Sequence, residues 1–167
     1  MTFNIEEMSV LDRRRIEAGV LGPVFKAFAR EIGEERAREI IGRTIVEIAK
    51  AQGKALAERA GGHDLKTFAK AKEPWTRNAA IETETIKQDG EIYSFNVVRC
   101  RYAEMYKELG IPELGFLLSC GRDFAMSQGF NPEIKLTRTQ TIMQGASHCD
   151  FRYAMSDVPR TAKSNGA

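Results

Sequence analysis

The residues best suited to chemistry lie in one stretch, 99–153, which holds all three cysteines and one of the two histidines of the chain. Cys100, Cys120 and Cys149 supply thiols, which act as nucleophiles or metal ligands once deprotonated. His148 supplies a base that titrates near neutral pH. A free cysteine is also among the most frequently buried residue types and then behaves as a small hydrophobe. Residue type alone therefore leaves two interpretations of each cysteine, a functional thiol and a packing residue.

Two acids and an arginine accompany these thiols. Asp123 follows Cys120 by three residues and Glu104 follows Cys100 by four, so on helices each acid lies on the same side as its cysteine. Both acids also fit an ordinary solvated helix surface. Arg138 lies in an alternating segment, where a cross-strand charge partner is the plain alternative to a binding role.

The spacing of the cysteines argues against a metal-binding motif. Zinc ribbons and fingers need paired ligands about two to four residues apart, and Cys100, Cys120 and Cys149 are much farther apart. His148 and Cys149 are neighbours at the start of a predicted strand. Their side chains then point to opposite faces, so at most one of them can join a given site.

The composition excludes several classes of protein. The 25 Lys and Arg residues against 23 Asp and Glu leave a net charge of +2, too small for an electrostatic nucleic-acid binder. No run of about 18 apolar residues is present, so we expect no membrane span, and the N-terminal segment lacks the apolar core of a signal peptide. An odd number of cysteines fits free thiols in a reducing compartment. We therefore expect a cytoplasmic protein with no nucleic-acid or membrane partner.

The N-terminal part of the chain has a helical pattern over 10–61. Ile32-Gly33 divides it into a helical pair, and Gly22-Pro23 predicts a kink or a restart within the first helix. A short helix follows over 64–72, with Asp64 as its N-cap. We interpret the helical pair as a scaffold, and its surface is a candidate for a homo-oligomer contact.

The segment 80–155 has the pattern of a catalytic-type core. Apolar alternation on both sides of Asp89-Gly90 predicts a β-hairpin over 81–98. The remaining predicted elements are helices over 101–109 and 112–129, the second ended by Gly129, and strands over 134–143 and 149–154. We therefore expect a single α+β domain over 1–155, an N-terminal helical pair plus a small antiparallel sheet flanked by helices. The polar tail, 156–167, has no periodicity and is expected to be disordered.

This core resembles the L-2-amino-thiazoline-4-carboxylic acid hydrolase family. The residues that carry the resemblance are Cys100 and the segments 108–110 (ELG), 113–114 (EL), 118–123 (LSCGRD), 136–141 (LTRTQT) and 145–152 (GASHCDFR). The ending, a glycine and then Cys149-x-Phe151, is also distantly similar to 4-vinyl-reductase-type domains that bind small molecules. The detailed match covers 80–155, and residues 1–75 resemble the family only as a helical pair.

The resemblance implies a hydrolase that opens a five-membered ring at an amidine-like C=N carbon, with a carbamoyl-cysteine as product in the named case. Cys100 or Cys120 would attack this carbon as a thiolate and form a covalent intermediate. Asp123 or Glu104 would hold the amidinium or relay protons. Arg138 would bind the substrate carboxylate. The candidate catalytic residues implied by the resemblance are Cys100, Cys120, Asp123, Cys149, His148 and Glu104.

Besides an oligomeric scaffold built on the long helices, which would leave all three cysteines buried and inert, two alternatives stay open from the sequence. In the first, two or three thiolates with Asp123 or His148 hold a zinc-like divalent ion that activates water; the covalent mechanism itself implies no cofactor. In the second, the domain is a non-catalytic sensor that binds a small molecule or a metal without turnover. The covalent mechanism predicts at least one thiol with a depressed pKa.

Overall fold

The computed structural model describes residues 8–156, so the predicted tail lies outside the described residues except for Ser156. Its helices are α1 Val10–Ile32, α2 Glu34–Ala60, α3 Leu65–Ala71, α4 Arg101–Glu108, α5 Pro112–Gly115 and α6 Arg122–Phe130. Its strands are β1 Ile81–Gln88, β2 Ile92–Cys100, β3 Ile134–Thr137 and β4 Cys149–Met155. Short 3-10 helices cover Glu73–Ala79 and Ile142–Gln144. The predicted α+β class is confirmed, and none of the helices within 8–156 is long and apolar enough to cross a bilayer.

One antiparallel sheet has the strand order β1-β2-β4-β3. In the β2–β4 pair, Phe95 lies opposite Phe151 and Val97 lies opposite Cys149. Because side chains alternate along a strand, these four residues lie on one face of the sheet. All four are buried, so this face, which we call the inner face, is covered by helices.

Local sequence signals located several boundaries. Asp64 caps α3, and its Oδ1 accepts a hydrogen bond from the Thr67 amide at 2.9 Å. In the hairpin turn between β1 and β2, Asp89 Oδ1 accepts hydrogen bonds from the amides of Glu91, at 2.9 Å, and Ile92, at 2.7 Å. Asp and Asn side chains commonly stabilise turns in this way. The predicted hairpin and N-cap are therefore present.

The helical pair is divided as predicted, and one of the two features expected at Pro23 is absent. Gly33, with φ of +84°, separates α1 from α2 as expected. α1, however, continues through Pro23 without a restart. A proline inside a helix removes one backbone hydrogen bond. The neighbouring Gly22 and Phe25 are buried, with Gly22 against the side chain of Ile111, and this packing holds the helix together across the missing bond.

The predicted helix 112–129 consists of α5, a π-helical turn over Phe116–Cys120, and α6. Gly129 does not end α6. It lies inside the helix, where a Cβ atom would be 2.0 Å from the Lys50 carbonyl oxygen of α2, and a Cβ on Gly53 of α2 would be 2.1 Å from the Met126 carbonyl oxygen. Glycine at both positions lets the two backbones touch. This crossing fixes α6 in front of the inner face.

The predicted strand 134–143 ends early, at Thr137. Beyond it the backbone leaves the sheet, because the Asp150 carboxylate takes the place of a strand partner. Asp150 Oδ1 accepts from the amides of Thr139 and Gln140, both at 2.9 Å. This loop turns the side chain of Arg138 toward α6.

Candidate functional site

A cavity of about 110 Å³ lies between the inner face of the sheet and the segment formed by the π-helical turn and α6. Phe95, Val97 and Phe151 line it from the sheet, and Met126 lines it from α6. Trp75, in the 3-10 helix that follows α3, lines another wall. A cavity of about 150 Å³ holds a benzene-sized molecule. At about 110 Å³ the space is smaller than that, so it limits a ligand to about one small ring with an apolar surface.

All three cysteines line this cavity. Cys149 is on β4 opposite Val97, and Cys100 ends β2 opposite Ile81. Cys120 ends the π-helical turn. Such turns insert one extra residue into a helix and occur frequently at functional sites. The fold therefore brings together thiols from three elements that are widely separated in sequence.

Burial dominates the acidity of these thiols. It raises the pKa of Cys100 to about 11, and the Ala103 N–H at the start of α4 opposes part of the rise. It also raises the pKa of Cys120 and that of Cys149, whose Sγ accepts a hydrogen bond from the Ile142 amide at 3.2 Å. All three thiols are therefore protonated near neutral pH. The depressed pKa that the covalent mechanism predicted is not found for any of the three thiols, because the apolar walls disfavour a thiolate.

Asp123 on α6 lies between two cationic side chains. Arg138 donates from Nη1 to Asp123 Oδ2 at 2.6 Å and from Nη2 to the Cys120 carbonyl oxygen at 3.0 Å. Lys72 Nζ is 3.9 Å from Asp123 Oδ1. The Arg138 side chain is only 2% exposed. Both Nη groups of Arg138 are thus engaged within the protein, and Asp123 keeps capacity to accept from a ligand.

Sequence reasoning missed Lys72, which follows α3 and lines the cavity. Its Nζ donates to Tyr153 Oη at 2.8 Å and lies 5.4 Å from the centre of the Phe151 ring. Arg138 lies 4.9 Å from the same ring centre. Burial lowers the pKa of Lys72, while Asp123 opposes this shift. A lysine after a short amphipathic helix resembles any surface lysine in sequence, so no local signal identified it.

A second charged group also lines the cavity. Arg14 on α1 and Arg122 on α6 both contact Glu17, with Arg122 Nη1 at 3.7 Å from Glu17 Oε2. Arg122 Nη2 donates to Gln52 Oε1 at 2.7 Å. Burial, followed by the charge of Arg14, lowers the pKa of Arg122 to about 10. One carboxylate is therefore shared by two buried guanidinium groups.

Two of the predicted catalytic residues lie away from the cavity. Glu104 is on the outer side of α4 and accepts from Arg99 Nε at 3.1 Å, in an ion pair whose side chains are about half exposed. His148 precedes β4 and contacts Gln140 and Ser147. Cys149 takes the inward position next to it, as strand alternation requires. Of the predicted residues, the cavity includes Cys100, Cys120, Cys149, Asp123 and Arg138.

The structure contains no group of side chains suited to bind the metal ion of the metal-dependent alternative in the described part of the chain. Within residues 8–156, no three His, Cys, Asp or Glu side chains are close enough together to hold a metal ion. Among the described residues that line the cavity, the one carboxylate is Asp123, which pairs with Arg138 and lies 3.9 Å from Lys72.

Comparison with known proteins identifies one family and a set of similar structures that includes a sensory domain and a trafficking-complex subunit. The L-2-amino-thiazoline-4-carboxylic acid hydrolase family matches residues 13–153, which confirms the predicted family. The phenol-responsive sensory domain of the transcription activator PoxR, in a crystal structure with phenol, has a TM-score of 0.53 at 13% identity, covering 83% of this chain and 74% of that chain. A trafficking protein particle complex subunit 3 from Naegleria fowleri, covalently bound to palmitic acid, has a TM-score of 0.49 at 8% identity, covering 88% and 99%. No match was found among curated proteins.

Proposed function

This chain belongs to the L-2-amino-thiazoline-4-carboxylic acid hydrolase family, and we propose that it opens a small heterocyclic ring of the thiazoline or amidine type at a C=N carbon. The observation that carries the proposal is that three cysteines line one cavity together with the Asp123–Arg138 pair. The cavity suits a single ring. Its charged lining residues are Arg14, Lys72, Arg122 and Arg138 against Asp123, and this positive excess favours an anionic substrate.

The proposed reaction consumes one water molecule. The sulfur of a cysteine adds to the C=N carbon while the thiol proton passes to the ring nitrogen. The adduct then loses one ring heteroatom, which leaves with a proton from the exocyclic amino group, so that a new C=N bond forms on the enzyme-bound carbon. Water adds to this bond, and the thiol departs with a proton. The products are the ring-opened carbamoyl compound and the free enzyme.

We assign the nucleophile to Cys100. It lies at the start of α4, where backbone N–H groups favour a developing negative charge on sulfur. Cys149 is less suited because its sulfur already accepts from the Ile142 amide. Since the Cys100 thiol is protonated before substrate binds, attack is coupled to proton transfer to the basic ring nitrogen. The substrate thus supplies the base that the apolar cavity lacks.

We assign Asp123 the role of accepting hydrogen bonds from the amidine nitrogens of the substrate. A carboxylate matches the paired N–H donors of an amidinium, and such charge-assisted hydrogen bonds are strong in a desolvated site. Arg138 and Lys72 hold this carboxylate from two sides, and we assign them the positioning of Asp123. The sequence predicted that Arg138 binds the substrate carboxylate; because Arg138 donates to Asp123 and to the Cys120 carbonyl oxygen, we propose the positioning role in its place.

The test is turnover by the purified chain with 2-amino-thiazoline-4-carboxylate, followed by mass spectrometry of the product in ¹⁸O-labelled water. We expect one labelled oxygen in the carbamoyl product and loss of turnover in Cys100→Ala and Asp123→Asn. Glu104→Gln is the matched control, because Glu104 lies outside the cavity and pairs with Arg99 on the surface. Turnover by Cys100→Ala at the wild-type rate would overturn the assignment of the nucleophile.

A second candidate is a non-catalytic small-molecule sensor. The raised pKa of all three thiols supports it, and the fold is similar to that of a phenol-responsive sensory domain. In this case the same compound, or a neutral ring such as phenol, binds and is recovered unchanged after prolonged incubation. Product formation that depends on Cys100 excludes this candidate.

A further inference from the structure

Two residues that line the cavity each have a buried polar atom without a hydrogen-bond partner. Within the described residues, Tyr102 Oη and Arg122 Nε are the buried side-chain nitrogen and oxygen atoms that make no hydrogen bond. Tyr102 is 6% exposed, Arg122 is 4% exposed, and both residues line the cavity. Leaving such a group unpaired costs about 1–3 kcal/mol. Two unsatisfied donors on one small cavity therefore indicate where a ligand acceptor belongs.

The charges around Arg122 give the same indication independently. Arg14 and Arg122 are both buried and share the single carboxylate of Glu17, which is 41% exposed. This group carries one uncompensated positive charge. Buried cations are normally paired, so an anion from outside the protein would complete the group. The lowered pKa of Arg122 has the same physical origin, since burial and Arg14 outweigh Glu17.

We propose that Arg122 and Tyr102 bind the carboxylate of the ligand, with Arg14 supplying further positive charge. This inference deepens the proposed function, because it places the acid group of the substrate at α6 and α4 and not at Arg138. Gln52 holds Arg122 through Nη2, which leaves Nε free to donate. One carboxylate oxygen accepts from Arg122 Nε and the other from Tyr102 Oη.

The placement also orders the substrate in the cavity. Arg122 and Asp123 are consecutive on α6 and both line it. A small ring with a carboxylate at one position and an amidine at another can therefore be held by two neighbouring residues of one helix. The ligand class is a small cyclic acid, since an equally shaped neutral ring would leave the positive charge of Arg14 and Arg122 uncompensated.

The test measures binding without turnover. The probe is thiazole-4-carboxylate, which has the ring and the acid but no exocyclic amidine nitrogen, and its matched control is thiazole-4-carboxamide. Isothermal titration calorimetry on the full chain compares wild type with Tyr102→Phe, Arg122→Gln and Arg138→Gln. Arg99→Gln, on the exposed surface, is the control for a general loss of positive charge.

In wild type we expect the acid to bind at least ~10-fold more tightly than the carboxamide, since hydrogen bonds to a charged group contribute strongly. Tyr102→Phe is expected to lower the affinity for the acid by about 10-fold and to leave the affinity for the carboxamide unchanged. The same variant should unfold at an equal or higher temperature in the absence of ligand, because it removes an unsatisfied buried hydroxyl. A hydroxyl with a purely structural role would give the opposite result in the unfolding experiment.

Three outcomes would overturn the inference. In the first, wild type binds the acid and the carboxamide with equal affinity. In the second, both Tyr102→Phe and Arg122→Gln keep the wild-type preference for the acid over the carboxamide. In the third, only Arg138→Gln loses this preference. Failure of the proposed function is a separate result. If the acid binds through Arg122 and Tyr102 but 2-amino-thiazoline-4-carboxylate is not consumed, the carboxylate-binding site is supported and the hydrolase activity is rejected.

Discussion

Arg138 Nη1 lies 2.6 Å from Asp123 Oδ2, and the Arg138 guanidinium also lies 4.9 Å from the centre of the Phe151 ring. The pair joins the loop after β3 to α6 across one side of the cavity. Lys72 approaches Asp123 from α3 at 3.9 Å. The negative charge of Asp123 therefore offsets positive charge from two side chains, Arg138 and Lys72, that come from different elements. We expect both side chains to be held at the cavity by this carboxylate.

Removal of this carboxylate should destabilise the protein strongly. Asp123→Asn leaves Arg138 and Lys72 without their anionic partner, and breaking a buried ion pair from one side costs about 3–5 kcal/mol. Urea unfolding at neutral pH measures the loss. Glu104→Gln breaks the exposed pair with Arg99 and should cost less than ~1 kcal/mol. Equal losses in the two variants would contradict the role given to Asp123.

The sequence was a good guide wherever a structural feature is decided by neighbours in the chain. The β1–β2 hairpin depends on Asp89, which binds amides two and three residues ahead. The start of α3 depends in the same way on Asp64. Such local hydrogen bonds are encoded by residue type and spacing, so both features were predicted at the correct positions.

Features decided by distant contacts were not predictable in this way. β3 ends at Thr137 because Asp150, on another strand, binds the amides of Thr139 and Gln140. Gly129 looked like the end of a helix, yet it is the point where α6 touches the backbone of α2 at Lys50. No pattern within either segment reports its distant partner.

The residues of the candidate site likewise divide into some that the sequence identified and some that it did not. The three cysteines, Asp123 and Arg138 stood out by residue type and by family resemblance, and the structure places all five on one cavity. Lys72 and Tyr102 were missed, since a lysine after a short helix and a tyrosine within one have no distinctive spacing. Arg122 lies in the segment 118–123 that carries the family resemblance, but no role was predicted for it. Only their position on the cavity distinguishes these three residues.

Thiol reactivity should be slow at neutral pH and rise steeply in alkaline solution. Burial raises the pKa of Cys100 to about 11 from an ordinary value of 9.0, and only the thiolate is alkylated. The iodoacetamide rate at this residue, followed by peptide mass spectrometry, should increase about tenfold per pH unit below that pKa. The folded state disfavours the thiolate, so Cys100 also lowers stability as the pH rises from 9 toward 11. Rapid alkylation at pH 7 in the absence of ligand would contradict this prediction.

The contact between α2 and α6 should not tolerate a methyl group. In Gly129→Ala the new Cβ would lie 2.0 Å from the Lys50 carbonyl oxygen, and backbone atoms cannot move aside as a flexible side chain can. We expect a loss of about 3 kcal/mol in the free energy of unfolding, the upper end of the usual cost of overpacking. Gly19→Ala is the matched control, since nothing lies within 4 Å of its Cβ position on α1. That variant should be about 1 kcal/mol more stable than wild type, and a stable Gly129→Ala protein would mean that the two helices are farther apart.

The oligomeric state can be tested on α1. Five large apolar side chains on it are between 38% and 61% exposed, and they recur every fourth residue: Ile16, Val20, Val24, Phe28 and Ile32. Residues at this spacing form a continuous ridge of the kind that packs between helices. A ridge on one long helix can pair with its own copy about a two-fold axis, so we expect a homodimer through α1.

Light scattering after size-exclusion chromatography measures this assembly. The double variant Val20→Glu/Phe28→Glu should be monomeric at concentrations where wild type is dimeric, because it would bury four carboxylates in a two-fold contact without partners. Ile86→Glu is the control, since Ile86 is equally exposed on β1, away from α1. If wild type is monomeric, or if Ile86→Glu dissociates the dimer while the α1 variant does not, then α1 is not the contact surface.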